Sequence, residues 1–426
     1  MLTGDDDGRV CKDIPDAACR ELPQNFFRHV TSLSLTKLSD GLIDPKLVLA
    51  WLLTTLGAPA AIIGLLVPVR EAGALLPQLF TAASLRRLAK RKWAWVAGSI
   101  GQGASATAIG LAALFLDGAT AGWAILGALA VLALSRSVCS VTYKDVLGKT
   151  VSKSKRGTAT GLAGSIAAAF VIAYGILLTT GLIEKMTLVT IGLFVAAALW
   201  CIAALIFSTL REEEGATEGG GNAFKAFLEN IALLKTDTQL RRFITVRGLL
   251  TATALAPPFM IALTSQASQN STQDAFGGLG LLVIASSGAA IASSYVWGRL
   301  ADRSSRKVLI LSAIAATLAL GVTAALSITG LLSHMLALPL VLFALMIAYQ
   351  GVRLGRSTHL VDMADEDTRA AYTALSNTII GVLLLAGSIF SVIAATAGVL
   401  TVIIVMAVMC ALGAVAGLGL EEVQQD

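Results

Sequence analysis

Four ionisable residues stand where an apolar chain has little reason to hold them. Asp44 and Lys46 flank Pro45 inside the apolar run 37–56, and Arg70 with Glu71 lies near the middle of the run 59–85. An ionisable side chain at mid-bilayer costs roughly 3 kcal/mol or more unless it is paired or hydrated, so each is a candidate for function. Both sets lie about ten residues from the same membrane face, which at about 1.5 Å per residue is about 15 Å deep. They share one level and can meet. Arg70 would anchor an anionic group, and Glu71 or Asp44 would carry an exchangeable proton. Pro45 has no N–H, which frees a backbone carbonyl there for a ligand or ion. The competing reading is a self-neutralising cluster that ties the two runs together. Adjacent residues project about 100° apart on a helix, so Arg70 and Glu71 are not expected to share a face.

Further polar residues fall within apolar runs: Asp40 beside Asp44, Arg136 near the inner end of its run, and Arg247, Gln350, Arg353 and Asn377 in the second half of the chain. For Arg136 a structural arginine reaching toward the interface competes with a binding role. The histidines, at 29, 334 and 359, form no ligand spacing, and the five cysteines none either. The sequence therefore calls for no metal and no cofactor. His359, next to Asp362, reads as a solvated loop residue, and Cys11 and Cys19 read as free thiols in a tail. No G-x-x-x-x-G-K-[ST] loop is present, which removes ATP as a driver. A polytopic membrane enzyme would need an acid–base or metal constellation at a membrane boundary, and none is seen.

The elements that position these residues are apolar helices. Hydrophobic residues make up 56% and charged residues 14% of the chain, and mean hydropathy is +0.78, the composition of a polytopic membrane protein. The sequence predicts an all-α fold of 12 transmembrane helices. Spans are expected near 37–56, 59–85, 94–116, 123–141, 158–180, 188–210, 243–264, 276–297, 308–332, 335–352, 370–394 and 398–419. Before them, 1–36 reads as a tail without an apolar leader segment, with an amphipathic stretch at 25–38 lying on the membrane. Between the sixth and seventh spans, 211–242 reads as a polar linker, flexible at REEEGATEGGGN and amphipathic at 223–242. Residues 420–426 form a polar tail. The Gly157–Gly161 spacing reads as close helix packing.

A net charge of +5 would suit nucleic acid, but the placement of the charges points to a membrane instead. Lys and Arg cluster in alternate loops, at LRRLAKRKW, TYKDVLGKTVSKSKRG and GRLADRSSRK. The intervening loops carry Asp117, Glu184, Asp274, His334 and a single full cation, Lys185. The positive-inside rule then puts both ends of the chain in the cytoplasm, in a bacterial-type inner (plasma) membrane.

The decapeptide GRLADRSSRK at 298–307 resembles the G-x-L-a-D-R-x-x-R-K loop signature of the major facilitator superfamily of transporters. Gly298, Leu300, Asp302, Arg303, Arg306 and Lys307 fill its positions, with Arg299 between them and Ser305 where glycine is common. The pattern repeats at half the chain length. Arg87-Leu88-Ala89 matches Arg299-Leu300-Ala301, and Arg91 matches Arg303. A second stretch sets Arg136, Asp145 and Arg156 against Arg353, Asp362 and Arg369. Two pseudo-symmetric six-helix bundles, 37–210 and 243–419, follow from that resemblance. In the first copy the acidic position is Lys90. A conformational latch built from these loops is therefore expected to rest on Asp302 and the second half.

The resemblance implies a secondary transporter that moves a small polar or charged solute by alternating access, coupled to protons with sodium as the alternative ion. It would act as a monomer among membrane lipids. Span five lacks the glycine–proline signature of many drug/proton antiporters of the superfamily. A lipid flippase or membrane assembly factor on the same fold is the other reading, resting on the amphipathic stretches.

Overall fold

The computed structural model describes residues 19–78, 85, 87–214, 231, 233–267, 278–364 and 369–424, and these are helical throughout, with no strand among them. The tail 1–18, Asp274 and most of the linker lie outside the described residues. Nine helices among the described residues are long and apolar enough to cross a membrane, which makes the chain an integral membrane protein.

In chain order the first half holds α1 Leu22–Leu42, α2 Val48–Thr55, α3 Ala60–Ile63, α4 Leu66–Leu75, α5 Lys92–Phe115, α6 Gly118–Thr150, α7 Lys153–Thr180 and α8 Lys185–Ser208. The second half holds α9 Leu233–Thr236, α10 Thr238–Leu249, α11 Ala252–Ala267, α12 Leu279–Arg303, α13 Ser305–Ile328, α14 Ala337–Asp362, α15 Arg369–Ala386, α16 Ile389–Ala397 and α17 Val399–Gly417.

The break between α1 and α2 is written in Asp44-Pro45-Lys46. Proline cannot continue the hydrogen-bond ladder, and the Asp44 carboxylate accepts the N–H groups of Lys46 (2.7 Å) and Leu47 (3.1 Å) that the break releases. Asp44 is thus committed to the backbone of its own turn. Two other helix starts are capped by side chains. Asp237 accepts the Leu240 N–H ahead of α10, and Ser304 accepts the Lys307 N–H ahead of α13.

Residues 25–38 do not form a separate surface helix. They belong to α1, which packs on α7 and α8 and buries Asn25, Phe26, His29, Val30, Ser32, Ser34, Thr36 and Ser39. Polar groups on the buried face misled the amphipathic reading, since Ser34 and Ser39 return their hydroxyls to backbone carbonyls one turn back. Residues 238–242 likewise open α10 and run on into the bundle with Leu240, Phe243 and Ile244 buried.

Within the first half α5 packs on α6 and α8, α4 on α6, and α1 on α7 and α8. Within the second, α14 packs on α12 and α13, and α17 on α13, α11 and α10. The halves meet through α7 against α12 and α4 against α15, joined by α3 on α16. The α7–α12 crossing is backbone-close. A Cβ on Gly280 would lie 2.5 Å from the Gly175 carbonyl oxygen and 2.8 Å from the Thr179 nitrogen. That crossing and the α3–α16 contact lie toward the end away from the linker. Gly157 and Gly161, in the linker-end part of α7, face open space rather than a packed neighbour, contrary to their sequence reading. The halves are therefore in backbone-close contact at the end away from the linker.

Candidate functional site

Two residues of α1, Lys37 and Asp40, stand at i and i+3 and so share a helix face. Asp40 is the hub. Its Oδ1 takes Arg70 Nη2 from α4 at 3.1 Å and its Oδ2 takes Arg136 Nη2 from α6 at 2.8 Å. Lys37 donates to the Thr160 carbonyl on α7 at 2.9 Å. One carboxylate thus holds two guanidinium groups from two helices, an arrangement that neutralises only part of their charge.

Lys46 forms the second node. Buried, it stands 3.6 Å from Glu71 Oε1 and donates to Tyr349 Oη at 2.7 Å, with its ammonium 3.9 Å from that ring's centroid. Tyr349 lies on α14, so this bond crosses between the halves. The ion pairs found between described residues all lie in the first half and the adjoining linker.

The second half contributes cations. Tyr349, Arg353 and Arg356 repeat at i, i+4 and i+7 on α14 and share one face of it, the face from which Tyr349 meets Lys46. Arg353 and Arg356 lie within electrostatic range of Glu71, Arg353 within range of Lys37, and Arg356 within range of Arg247. Arg247 of α10 is buried at 6% exposure and donates to Ser376 Oγ (2.7 Å) and Asn377 Oδ1 (2.8 Å) on α15. No carboxylate among the described residues pairs with it, and its Nε has no acceptor.

Of the residues singled out in the sequence, Asp40, Arg70 and Arg136 meet in one cluster and Lys46 and Glu71 in a second that reaches the other half through Tyr349. Asn377 accepts from Arg247. Asp44 serves the α1–α2 turn. Gln350 is half-buried and makes no hydrogen bond among the described residues. Arg70 and Glu71 do diverge, one toward Asp40 and the other toward Lys46. Tyr349 and Arg356 were missed, although the i, i+4, i+7 spacing with Arg353 was available to find them.

The loop residues divide differently from expectation. In the first half Arg91 pairs with Asp145, and Arg156 closes the end of α6 through the Gly148 and Val151 carbonyls. Glu212, from the stretch read as flexible, is buried. It accepts the N–H groups of Arg91 (3.1 Å) and Lys92 (2.8 Å) at the start of α5 and pairs with Lys149 at 3.1 Å. In the second half Asp302 and Arg303 are exposed, and Asp302 makes no hydrogen bond or ion pair among the described residues. Arg306 binds the Leu418 carbonyl, Asp362 accepts from Gln424, and Arg299 donates to the Tyr295 hydroxyl. Arg87 is exposed, Gly298 has open space around its Cα, and the Arg369 side chain lies outside the described residues. In the first half Glu212 and Asp145 supply carboxylates to the loop although Lys90 does not, while in the second half Asp302 stays exposed and Ser304, Ser305, Arg306 and Asp362 are held by 418–424 and His359.

Two further readings are corrected. His359 is a buried residue of α14, with Nδ1 2.9 Å from Ser305 Oγ and its ring stacked on Phe243. Cys19 is disulfide-bonded, while Cys139, Cys201 and Cys410 are free thiols. Among the described residues no group of His, Cys, Asp and Glu is arranged to hold a metal.

No family profile and no curated protein matches the sequence. Solved structures do match the fold. The nucleoside transporter NupG superposes with a TM-score of 0.67 at 14% identity, over 92% of this chain and 98% of its own. A POT family transporter in complex with 5-aminolevulinic acid gives 0.69 at 9% identity, over 93% and 95%. A D-xylose-proton symporter gives 0.68 at 11% identity, over 94% and 98%. These similarities show that the chain has the fold of the major facilitator superfamily of transporters.

Proposed function

We propose that the protein is a secondary active transporter, not an enzyme, that carries a small charged solute across the plasma membrane by alternating access. Counting α1–α2, α3–α4 and α5 with the nine long apolar helices gives twelve spans. They divide into two six-helix bundles, with the linker end and both termini in the cytoplasm. The observation that carries the reading is the Lys46–Glu71–Tyr349 node between the halves. A cation held jointly by a carboxylate of one half and a hydroxyl of the other links ionisation of that carboxylate to how the halves are joined.

Glu71 is assigned the proton site. When it is ionised, Lys46 is shared between it and Tyr349. When it is protonated, Lys46 loses its charged partner and the inter-half contact loosens. Asp40 keeps Arg70 and Arg136 in place, ready for a solute group. The xylose–proton symporter of the same fold supports proton coupling as the first choice over sodium. The flippase or assembly reading loses one of its two sequence supports, because 25–38 is integrated into α1.

The test is solute-dependent proton flux in proteoliposomes of purified protein, screened with pooled metabolites and repeated with a sodium gradient, with Glu71→Gln as control. Flux lost in that variant supports the reading. Absence of flux with every pool, together with translocation of a labelled lipid, would overturn it.

A further inference from the structure

We propose that the solute is a small dianion, of the phosphate-ester or dicarboxylate kind, bound in the second half by Arg247, Arg353 and Arg356. This rests on the transporter reading and names the substrate class for it.

Around the Lys46–Tyr349 bond between the halves stand seven cations, Lys37, Lys46, Arg70, Arg136, Arg247, Arg353 and Arg356, linked by ion pairs or electrostatic range, against three carboxylates, Asp40, Asp44 and Glu71. The imbalance is not spread evenly. All three carboxylates belong to the first half, where Asp40 and Glu71 pair with Arg70, Arg136 and Lys46. The second half brings three arginines and, among the described residues, no carboxylate to any of them.

Arg247 is the most telling of these. A buried guanidinium without a counter-charge is expensive to hold. Ser376 and Asn377 fix two of its donor groups in place, which orients the fork without neutralising it, and Nε remains open. Such a group is completed by an anion arriving from outside. Arg356 of α14 lies within electrostatic range of both Arg247 of α10 and Glu71, so these cations are near neighbours. Guanidinium forks match the paired oxygens of phosphate and carboxylate, and several of them favour a doubly charged group over a single one. Neutral solutes would leave this charge unanswered.

The location also suits a transport step. Arg353 is exposed and Arg247 buried, so an anion arriving from solvent meets Arg353 first. Tyr349, one turn away on the same face, already holds Lys46. Binding at the α14 arginines therefore acts on the helix that carries the inter-half bond.

The experiment measures thermal stabilisation of detergent-purified full-length protein by inorganic phosphate, succinate, xylose and uridine, and by vesicles containing phosphatidic acid. The same solutes are tested for counterflow in proteoliposomes. Phosphate or succinate should stabilise the protein and support counterflow, with apparent affinity weakened at least about tenfold in Arg356→Gln and only partly restored in Arg356→Lys. Arg247→Gln should act in the same direction. Since Arg247 is buried and its variant can lose stability for other reasons, Arg356→Gln decides. Stabilisation by the vesicles but by neither soluble dianion would assign the same arginines to a lipid headgroup and overturn the soluble-solute proposal. Counterflow of xylose or uridine, unaffected in Arg356→Gln and with no response to phosphate or succinate, would overturn the dianion inference while leaving the transporter reading intact. Failure of every solute both to bind and to be carried would overturn the two together.

Discussion

Arg136 Nη2 stands 2.8 Å from Asp40 Oδ2, on the oxygen that Arg70 leaves free. One carboxylate on α1 therefore fixes the position of α6 relative to α4. Asp40→Asn removes the counter-charge from two partly buried guanidinium groups at once. We expect a stability loss of about 2 kcal/mol or more, the range for stripping one partner from a partly buried pair. Arg70→Ala should cost less stability, because Arg136 still neutralises Asp40, yet abolish solute binding. Parallel thermal unfolding and binding measurements on the two variants check this. An Arg70→Ala protein that fails to accumulate would mark the cluster as structural.

Glu71→Gln keeps the shape of the side chain near Lys46 and removes its charge. Lys46 retains the Tyr349 hydroxyl, so the fold should persist. The expected outcome is solute exchange across the membrane without proton movement. Comparing counterflow with pH-dependent uptake separates the two, and a variant that still acidifies the lumen would reassign the proton site.

Glu212 is buried and serves three partners: the N–H groups of Arg91 and Lys92 and the ammonium of Lys149. Glu212→Gln should lower stability by about 2–3 kcal/mol, since a helix start loses its charged acceptor and Lys149 loses its counter-ion. Surface glutamates in the same stretch, such as Glu213, should be replaceable within about 0.5 kcal/mol. Melting temperatures of the two variants in one detergent give the comparison.

Asp302→Asn should leave stability unchanged within about 0.5 kcal/mol, because the carboxylate is exposed and has no partner among the described residues. Its role, if the loop closes against the other half, lies in the state reached during transport. The expected effect is slower transport at unchanged equilibrium binding. Normal initial rates would remove Asp302 from the cycle.

Gly280→Ala should act on the opposite end. Its Cβ would meet the Gly175 carbonyl and the Thr179 nitrogen, backbone atoms that cannot rotate away. The closed contact between α7 and α12 should weaken by about 1–3 kcal/mol, the usual range for overpacking, and the population should shift toward opening at that end. Spin labels at the exposed positions Leu182 and Met335 report it as a longer distance between the halves. An unchanged distance distribution would mean the crossing does not gate that end.

The sequence by itself determined the all-helical membrane character, the loop asymmetry of charge, the half-chain repeat and which buried ions share a level. All of these are properties measured along the chain, where each helical residue adds a fixed rise and each buried charge a fixed penalty. The common level of Lys46 and Glu71 was legible for that reason. Tertiary structure alone decided which charge meets which. Asp40 rather than Asp44 became the hub, because Asp44 turned to satisfy the N–H groups beside Pro45. Tyr349, not its neighbour Gln350, met Lys46, because rotation by one residue swings a side chain about 100° around its helix. Glu212, read as part of a flexible stretch, found a helix start and a lysine distant in sequence. Partner choice depends on which helices become neighbours and how each is rotated, and no local spacing encodes either. The same gap explains why the three arginines of the second half drew little notice in the sequence. Their lack of a carboxylate becomes visible only once the helices around them are in place.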